Sequence, residues 1–279
     1  TIKKFRKYYN EINIKIPDFF SKKIIRKKTK KNFKVITALS VFYDIENPNY
    51  FLKDVHELLD DDGIFILEQA DLLSIIKLKM FDTICHEHLE YYSHNVIIKL
   101  LEKNNLKLFD FKFNDINGGS TQYYICKDKN TKIKVRKNKI MKMLNNEKKF
   151  RLDDVKTYKK FFIEIQSVKK KLNKFIKKIK SENKVIHGYG ASTKGNVLLQ
   201  YFNINKNHID CISDRNPKKN GFYTPNAKIK IVSELYSRKI NPDYYLVLPW
   251  HFKKEILQRE KKQRRYSKFI FPLPNLEIY

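Results

Sequence analysis

Cysteine is sparse in this chain of 279 residues, where only Cys85, Cys126 and Cys211 occur, far apart. That excludes a disulfide framework and a CxxC metal knuckle, and it fits a reducing cytoplasm. Long apolar runs are missing too. No stretch of 18 apolar residues exists, so nothing in the sequence reads as a membrane span. Acid is in deficit, with 30 Asp plus Glu against 59 Lys plus Arg and a formal charge of +29. Such a balance ordinarily points to nucleic acid as a partner. Here the excess is nearly all Lys and runs the whole length, while Arg, which reads phosphates and guanine edges bidentately, is scarce. An enzyme with a solvated lysine surface is the better reading, its field helping to steer an anionic substrate. The chain also lacks an initiating Met and an apolar signal core, which reads as a cut chain or a fragment.

What is present alternates between strands and helices, over a length that suits two α/β domains. Helical spacing over 1–10 precedes an alternating strand pattern at 12–16, then a strand at 34–39, an amphipathic helix at 49–59 and an apolar strand at 63–68. Ser93 or Asn95 caps a helix that stops at Asn104-Asn105. Two strands, 106–113 and 121–127, follow without a helix between them, so they are expected to pair antiparallel at a sheet edge. Polar, lysine-rich sequence then reads as a linker over 131–151. A long helix at 152–180 leads into strand 184–188, a glycine-rich turn 188–195, helix 196–202 and strand 209–214, with further strands at 244–248 and 269–272. The expected domains are therefore 1–130 and 152–279.

Chemistry concentrates in Phe81-Asp82-Thr83-Ile84-Cys85-His86-Glu87-His88-Leu89-Glu90-Tyr91-Tyr92-Ser93. The spacing of His86 and His88 lacks the i, i+4 histidines of a zinc helix, so proton transfer is preferred over metal binding. Gly188 to Gly195 matches neither the dinucleotide fingerprint nor a Walker loop, although a strand, a glycine turn, a helix and then Asp214 form a nucleotide-binding βαβ order. An NAD-linked enzyme with Asp214 on a ribose, and a nucleotide-sugar-binding protein without methyl transfer, stand as alternatives.

The segment Asp82 to Ser93, the loop Asn117-Gly118-Gly119-Ser120 and the turn Gly188 to Asn196 resemble the sugar-nucleotide C-methyltransferases of the 3-C-methyltransferase type. So do Asp214-Arg215-Asn216-Pro217, Tyr223-Thr224-Pro225, Pro249-Trp250-His251-Phe252 and Phe269 to Pro274, all in order. The resemblance implies an α/β fold, with part of a class I methyltransferase (Rossmann-like) sheet followed by a second Rossmann-like α/β domain. It also implies methyl transfer from S-adenosylmethionine to carbon of a keto-deoxy nucleotide sugar, as in deoxysugar biosynthesis, through an enolate. Zinc is implied only for an amino-terminal four-cysteine domain that has no counterpart here, and no metal site is expected in this chain.

By the same likeness His88 is the general base, Glu87 orients or assists it and His86 lies close; many relatives carry Tyr where this chain has Cys85, so either Tyr92 or Tyr91 takes the phenol's task, or activity is reduced or aimed at another sugar. The cofactor would meet Asp18, Phe19 and Phe20, then Ser40, Phe42 and Tyr43, with plain core packing as the competing reading for the phenylalanines. The nucleotide sugar would meet Asn117, Gly118, Gly119, Ser120, Gly190, Ser192, Lys194, Asn196, Asp214, Arg215, Trp250 and His251. Among these, Lys194 and the amides at the helix start are expected to hold the pyrophosphate.

Overall fold

The computed structural model describes residues 11, 12 and 14–279, so the helix read over 1–10 lies outside the described residues. Two compact units interleave along the sequence. Unit 1 takes the residues up to Asp71 with Leu89–Asn114 and Ser120–Lys149; unit 2 takes Leu72–His88, Asp115–Gly119 and Phe150–Tyr279. A single boundary near 130 therefore does not describe the chain. The His-rich segment as far as His88 and the Gly118-Gly119 loop both group with the carboxyl-terminal part, while Leu89 to Ser93 belong to unit 1.

Unit 1 begins with α1 (Lys22–Arg26), whose first turn is capped by Ser21, and β1 (Phe33–Leu39). In α2 (Pro48–Leu58) Asn47 accepts from the amide of Tyr50 and Pro48 occupies the first turn, a strong start signal. Leu52, Val55 and Leu58 form its buried stripe. β2 (Leu59–Ala70) then pairs parallel with β1, while α3 (Leu72–Lys77) belongs to unit 2. After α4 (His94–Lys103) come β3 (Leu106–Asn114) and β4 (Ser120–Lys127), an antiparallel pair. The sheet order is β1-β2-β4-β3, so the returning strand β4 slots against β2 and leaves β3 at the edge. Phe42, Phe65, Leu67, Ile97, Leu101, Phe111, Tyr123 and Ile125 fill the core.

Two expectations change in this unit. Residues 14–16 form no strand, and Ile12 and Ile14 are about half exposed, at 47% and 48%. Alternation makes a strand only beside a partner, and among the described residues nothing pairs with the outer edge of β1. The stretch read as a linker contains α5 (Lys137–Lys149), which buries Ile140, Met143 and Glu147. Glu147 accepts from the amides of His94 at 2.6 Å and Asn95 at 3.0 Å, so a carboxylate on α5 satisfies the first turn of α4.

The carboxyl-terminal stretch of unit 2 opens with α6 (Val155–Ser181), capped by Asp154 and burying Ile165, Val168, Leu172, Ile176 and Ile179. β5 (Ile186–Tyr189), α7 (Thr193–Tyr201), β6 (Cys211–Asp214), β7 (Ile231–Ser233), α8 (Glu234–Ile240), β8 (Tyr244–Val247), α9 (Lys253–Arg259), β9 (Lys268–Phe271) and β10 (Glu277–Ile278) follow. The order is β10-β9-β8-β5-β6-β7, parallel throughout except β10. A β5 side chain at Gly188 would strike Ile212 on β6, at 2.6 Å from the Cβ position, so glycine is required for the strands to approach. Among the described residues, no helix is long and apolar enough to cross a membrane.

Candidate active site

The sheet of unit 2 fixes where chemistry can occur. From β5 the chain proceeds outward to β6 and β7, then returns to lay β8 on the other flank of β5. Order reverses between β5 and β8, and the carboxyl ends of such strands open a ligand crevice. The two loops there are Gly190–Ser192 after β5 and Leu248–His251 after β8. Gly190 holds φ at +80°, and a Cβ on it would lie 2.8 Å from Pro249 Cγ, so the loops touch through a position only glycine can occupy. Ser192 caps α7 by accepting from Gly195 N at 3.0 Å. The helix therefore starts three residues earlier than its apolar pattern suggests, and Lys194 rides on its first turn.

Four segments distant in sequence meet at this crevice. Phe81–Thr83 forms a single 3-10 turn, on which Asp82 is fully buried. Trp250, itself buried, donates its indole N–H to Asp82 Oδ2 at 2.7 Å. Asp82 Oδ1 is buried with no hydrogen-bond partner. Burial pushes the Asp82 carboxyl up to about 6, against the pull of the Lys194 charge and the Trp250 bond. Lys194 is lowered by burial, with Asp82 and then Cys85 opposing. Its ammonium donates to the Asn117 carbonyl at 3.1 Å. His251 is lowered to about 4 by burial and by the Lys194 charge, which keeps it neutral, and its Nδ1 is buried without a partner. Gly118 completes the wall: at φ +96°, its Cβ position lies 3.2 Å from His251 Cβ and 3.5 Å from Trp250 Cη2.

The His-rich segment runs on from that turn. His86 and Glu87 sit exposed on a turn, and His88 is partly buried. His88 Nδ1 lies 2.8 Å from the Thr83 carbonyl and 3.3 Å from Thr83 Oγ1. A carbonyl only accepts, so Nδ1 carries the proton and the lone pair of the neutral ring is on Nε2. That is the tautomer a general base needs. Tyr92 is placed in unit 1, where its ring packs, tilted, at 5.2 Å from Phe42 and its hydroxyl is buried without a partner. Burial, with Glu90, raises that phenol to about 12.

The residues expected to meet a cofactor divide. Phe19 is 90% exposed, and Asp18 accepts from the Phe19 amide. Phe20 packs on Phe51 at 4.8 Å. Ser40, at φ +55°, donates its amide to the Glu68 carbonyl, while Tyr43 offers its carbonyl to the amides of Leu89 and Glu90. Phe42 has no exposed surface and is committed to the core. Phe19 thus presents an exposed ring and Ser40 forms the turn at the carboxyl end of β1, whereas Phe42 presents no face to solvent.

The expected sugar-side residues also divide. Asn117, Gly118, Gly119, Gly190, Ser192, Lys194, Asn196, Trp250 and His251 all belong to unit 2, with Asn117 and Gly119 at positive φ. Ser120 is the first residue of β4 and is buried in unit 1. Arg215 is exposed. Asp214 binds the glycine turn: its Oδ2 accepts from Ala191 N at 2.8 Å, its Oδ1 from Asn216 N at 2.8 Å, and Lys219 lies 3.4 Å away. Each oxygen thus holds a backbone amide, so Asp214 braces the glycine turn. Asp82 carries no role in the sequence reading, because an isolated Asp in a turn gives no sign of burial. Its place at the head of the His-rich segment was the available signal.

Residues 115–274 match the family model described as the C-methyltransferase C-terminal domain. The chain is similar to the C-methyltransferase NovU of Streptomyces niveus, with 30% identity over 246 residues, 88% of this chain and 58% of NovU. It thus spans less than two thirds of that relative's length. Solved structures overlap it weakly. The mitomycin 7-O-methyltransferase MmcR gives a TM-score of 0.29 at 12% identity, over 36% of this chain and 31% of that one. Magnesium protoporphyrin IX methyltransferase (ChlM) from Synechocystis PCC 6803 gives 0.28 at 14% identity, over 36% and 47%. Overlaps so partial bear on neither site nor function.

Proposed function

The chain belongs to the C-methyltransferase family whose carboxyl-terminal domain it carries, and from that premise we propose that it serves S-adenosylmethionine-dependent methylation of a carbon on a keto-deoxy nucleotide sugar. Its unpaired thiols suit a reducing cytoplasm. Unit 1 is assigned to the cofactor, with Asp18, Phe19, Ser40 and Tyr43 on its adenosyl side, and unit 2 to the sugar nucleotide. Bound there, S-adenosylmethionine supplies an electrophilic methyl group.

The chain's own residues carry the earlier half of the reaction. His88 takes the proton from the carbon next to the keto group, leaving an enolate whose carbon is the nucleophile. The observation that supports this is the bond from His88 Nδ1–H to the Thr83 carbonyl, which orients the ring and puts the basic lone pair on Nε2. Glu87, exposed on the preceding turn, assists through its charge. Cys85 is a weak donor beside a developing enolate oxygen.

Proton abstraction can be read without methyl transfer, by following solvent deuterium entering the carbon next to the keto group of a 4-keto-6-deoxy nucleotide sugar. In a full-length version, His88→Asn is expected to slow exchange by about 10²- to 10⁴-fold, the usual worth of a general base, with substrate affinity little changed. Undiminished exchange in His88→Asn would sink the assignment.

A further inference from the structure

The charges around Lys194 do not suit a pyrophosphate. A phosphate site needs a surplus of positive charge or several convergent amides. Lys194 instead faces a buried carboxyl, Asp82, and its neighbour His251 is held neutral by burial and by the lysine's own field. A carboxylate and an ammonium cancel, so the cluster is close to electroneutral. A dianion brought against this cluster would meet the repulsion of Asp82 as well as the attraction of Lys194.

The same cluster has unmet polar capacity. Asp82 is fully buried, yet its Oδ1 has no partner; His251 Nδ1 is likewise buried and unpaired. Lys194 has used one donor, on the Asn117 carbonyl. Buried polar atoms left this way are costly until something occupies them. An acceptor, a neutral imidazole nitrogen and an ammonium together call for groups that donate and accept at once, which is the character of a hydroxyl. Buried Trp250 and the bare backbone of Gly118 close the apolar side of the cluster, with Trp250 Cη2 3.5 Å from the Gly118 Cβ position.

We propose that Asp82 Oδ1, His251 Nδ1 and Lys194 Nζ form a subsite for hydroxyl groups of the neutral sugar ring, packed against Trp250, and that the pyrophosphate binds elsewhere. This rests on the nucleotide-sugar reading given above. Asp82 accepts from one hydroxyl, and Lys194 and His251 serve the oxygen of that hydroxyl or its neighbour. The carboxylate thus selects for a sugar and against a bare phosphate.

Calorimetric titration of the chain at pH 7.5 with dTDP, dTDP-glucose, UDP and UDP-glucose tests this, comparing the unmodified protein with Asp82→Asn. The variant keeps an acceptor for Trp250 but replaces Oδ1 with an amide donor and unmasks the Lys194 charge. The expected result is at least a tenfold loss for the sugar nucleotide and less than a twofold change for the matching nucleoside diphosphate. Tighter binding of dTDP or UDP by Asp82→Asn would mean that the pyrophosphate meets Lys194, and it overturns the proposal. Equal affinities in both proteins overturn it too, leaving the cluster to a buried water. Should Asp82→Asn fail to fold, monodeoxy analogues of the better sugar nucleotide are titrated into the unmodified chain. A tenfold loss for at least one supports the subsite, because a site built to bond a hydroxyl rejects a ligand lacking it; no loss beyond twofold overturns it. Absence of heat with all four nucleotides overturns the nucleotide-sugar reading itself, and the subsite with it.

Discussion

Trp250 and Asp82, 168 residues apart in sequence, are joined by an indole-to-carboxylate hydrogen bond of 2.7 Å. The bond ties the loop after β8 to the turn that starts the His-rich segment. Both partners are buried, so water cannot replace either one.

Trp250→Phe keeps a ring in place and removes only the donor and some bulk. Asp82 then loses its only side-chain hydrogen-bond donor among the described residues. A buried hydrogen bond to a charged group, together with the lost volume, is worth about 3 kcal/mol. Urea unfolding is expected to show a loss of that order. Because the indole bond lowers the Asp82 pKa, the variant's carboxyl should titrate above about 6, which carbon-detected NMR of Asp82 can read. A stability unchanged within 0.5 kcal/mol, about the ordinary effect of a surface substitution, would contradict the role assigned to the bond.

Asp82 and His251 act on acid stability in opposite senses. The folded pKa of His251 is depressed from 6.5 to about 4, so the unfolded chain binds more protons between these values. Its contribution is present above pH 6.5 and is lost as pH falls through 4. The folded pKa of Asp82 is raised from 3.8 to about 6; its contribution is present below pH 3.8 and is lost as pH rises through 6. Across pH 4–6 the two slopes, each at most about 1.4 kcal/mol per unit, nearly cancel. His251→Gln should therefore make stability fall with rising pH in that window relative to the unmodified chain, and Asp82→Asn should make it rise. Denaturant unfolding at pH 4, 5 and 6 gives the slopes; slopes unchanged in both variants would refute the coupling.

Glu147 tests a different kind of burial. It bonds the two amides that open α4, His94 and Asn95. Glu147→Gln retains one acceptor and swaps the other for a donor facing an N–H. The expected loss is about 1–3 kcal/mol, with hydrogen exchange of the His94 and Asn95 amides speeding up before the rest of unit 1. Uniform exchange changes across the unit would argue against a local cap.

These residues also mark how far the sequence could be read. Caps and stops written in neighbouring residues were legible: Ser93 does cap α4, Asn104-Asn105 ends it, and the strands 106–113 and 121–127 do pair antiparallel. The α5 helix was hidden because its buried face contains a charged residue, Glu147, in place of a third apolar one. Within the site, Trp250, His251, Lys194 and the glycines were singled out through the family resemblance, and the structure groups them in unit 2. Asp82 was not singled out, since the partners that mark it, the Trp250 indole and the Lys194 charge, are linked to it by no local pattern. Phe42 shows the converse: an aromatic at a strand end that the core consumes entirely.

Gly190 is the position on which the two crevice loops depend. At φ +80° an alanine is strained, and its methyl would stand 2.8 Å from Pro249 Cγ and 2.9 Å from Cδ, a ring with no room to yield by rotation. Relief requires the β5–α7 turn and the β8 loop to separate. That shift carries Lys194 away from Trp250 and His251, which sit just after Pro249. Gly190→Ala should therefore cost about 2–4 kcal/mol in stability, from backbone strain plus overpacking. Affinity for a sugar nucleotide should fall more than tenfold even at temperatures where the variant is fully folded. Gly221→Ala is the matched control: its φ is +87°, but nothing lies within 4 Å of its Cβ position. It should show the strain, about 1 kcal/mol, and bind the sugar nucleotide normally. If both variants lose affinity equally, the contact between Gly190 and Pro249 is not what holds the crevice together.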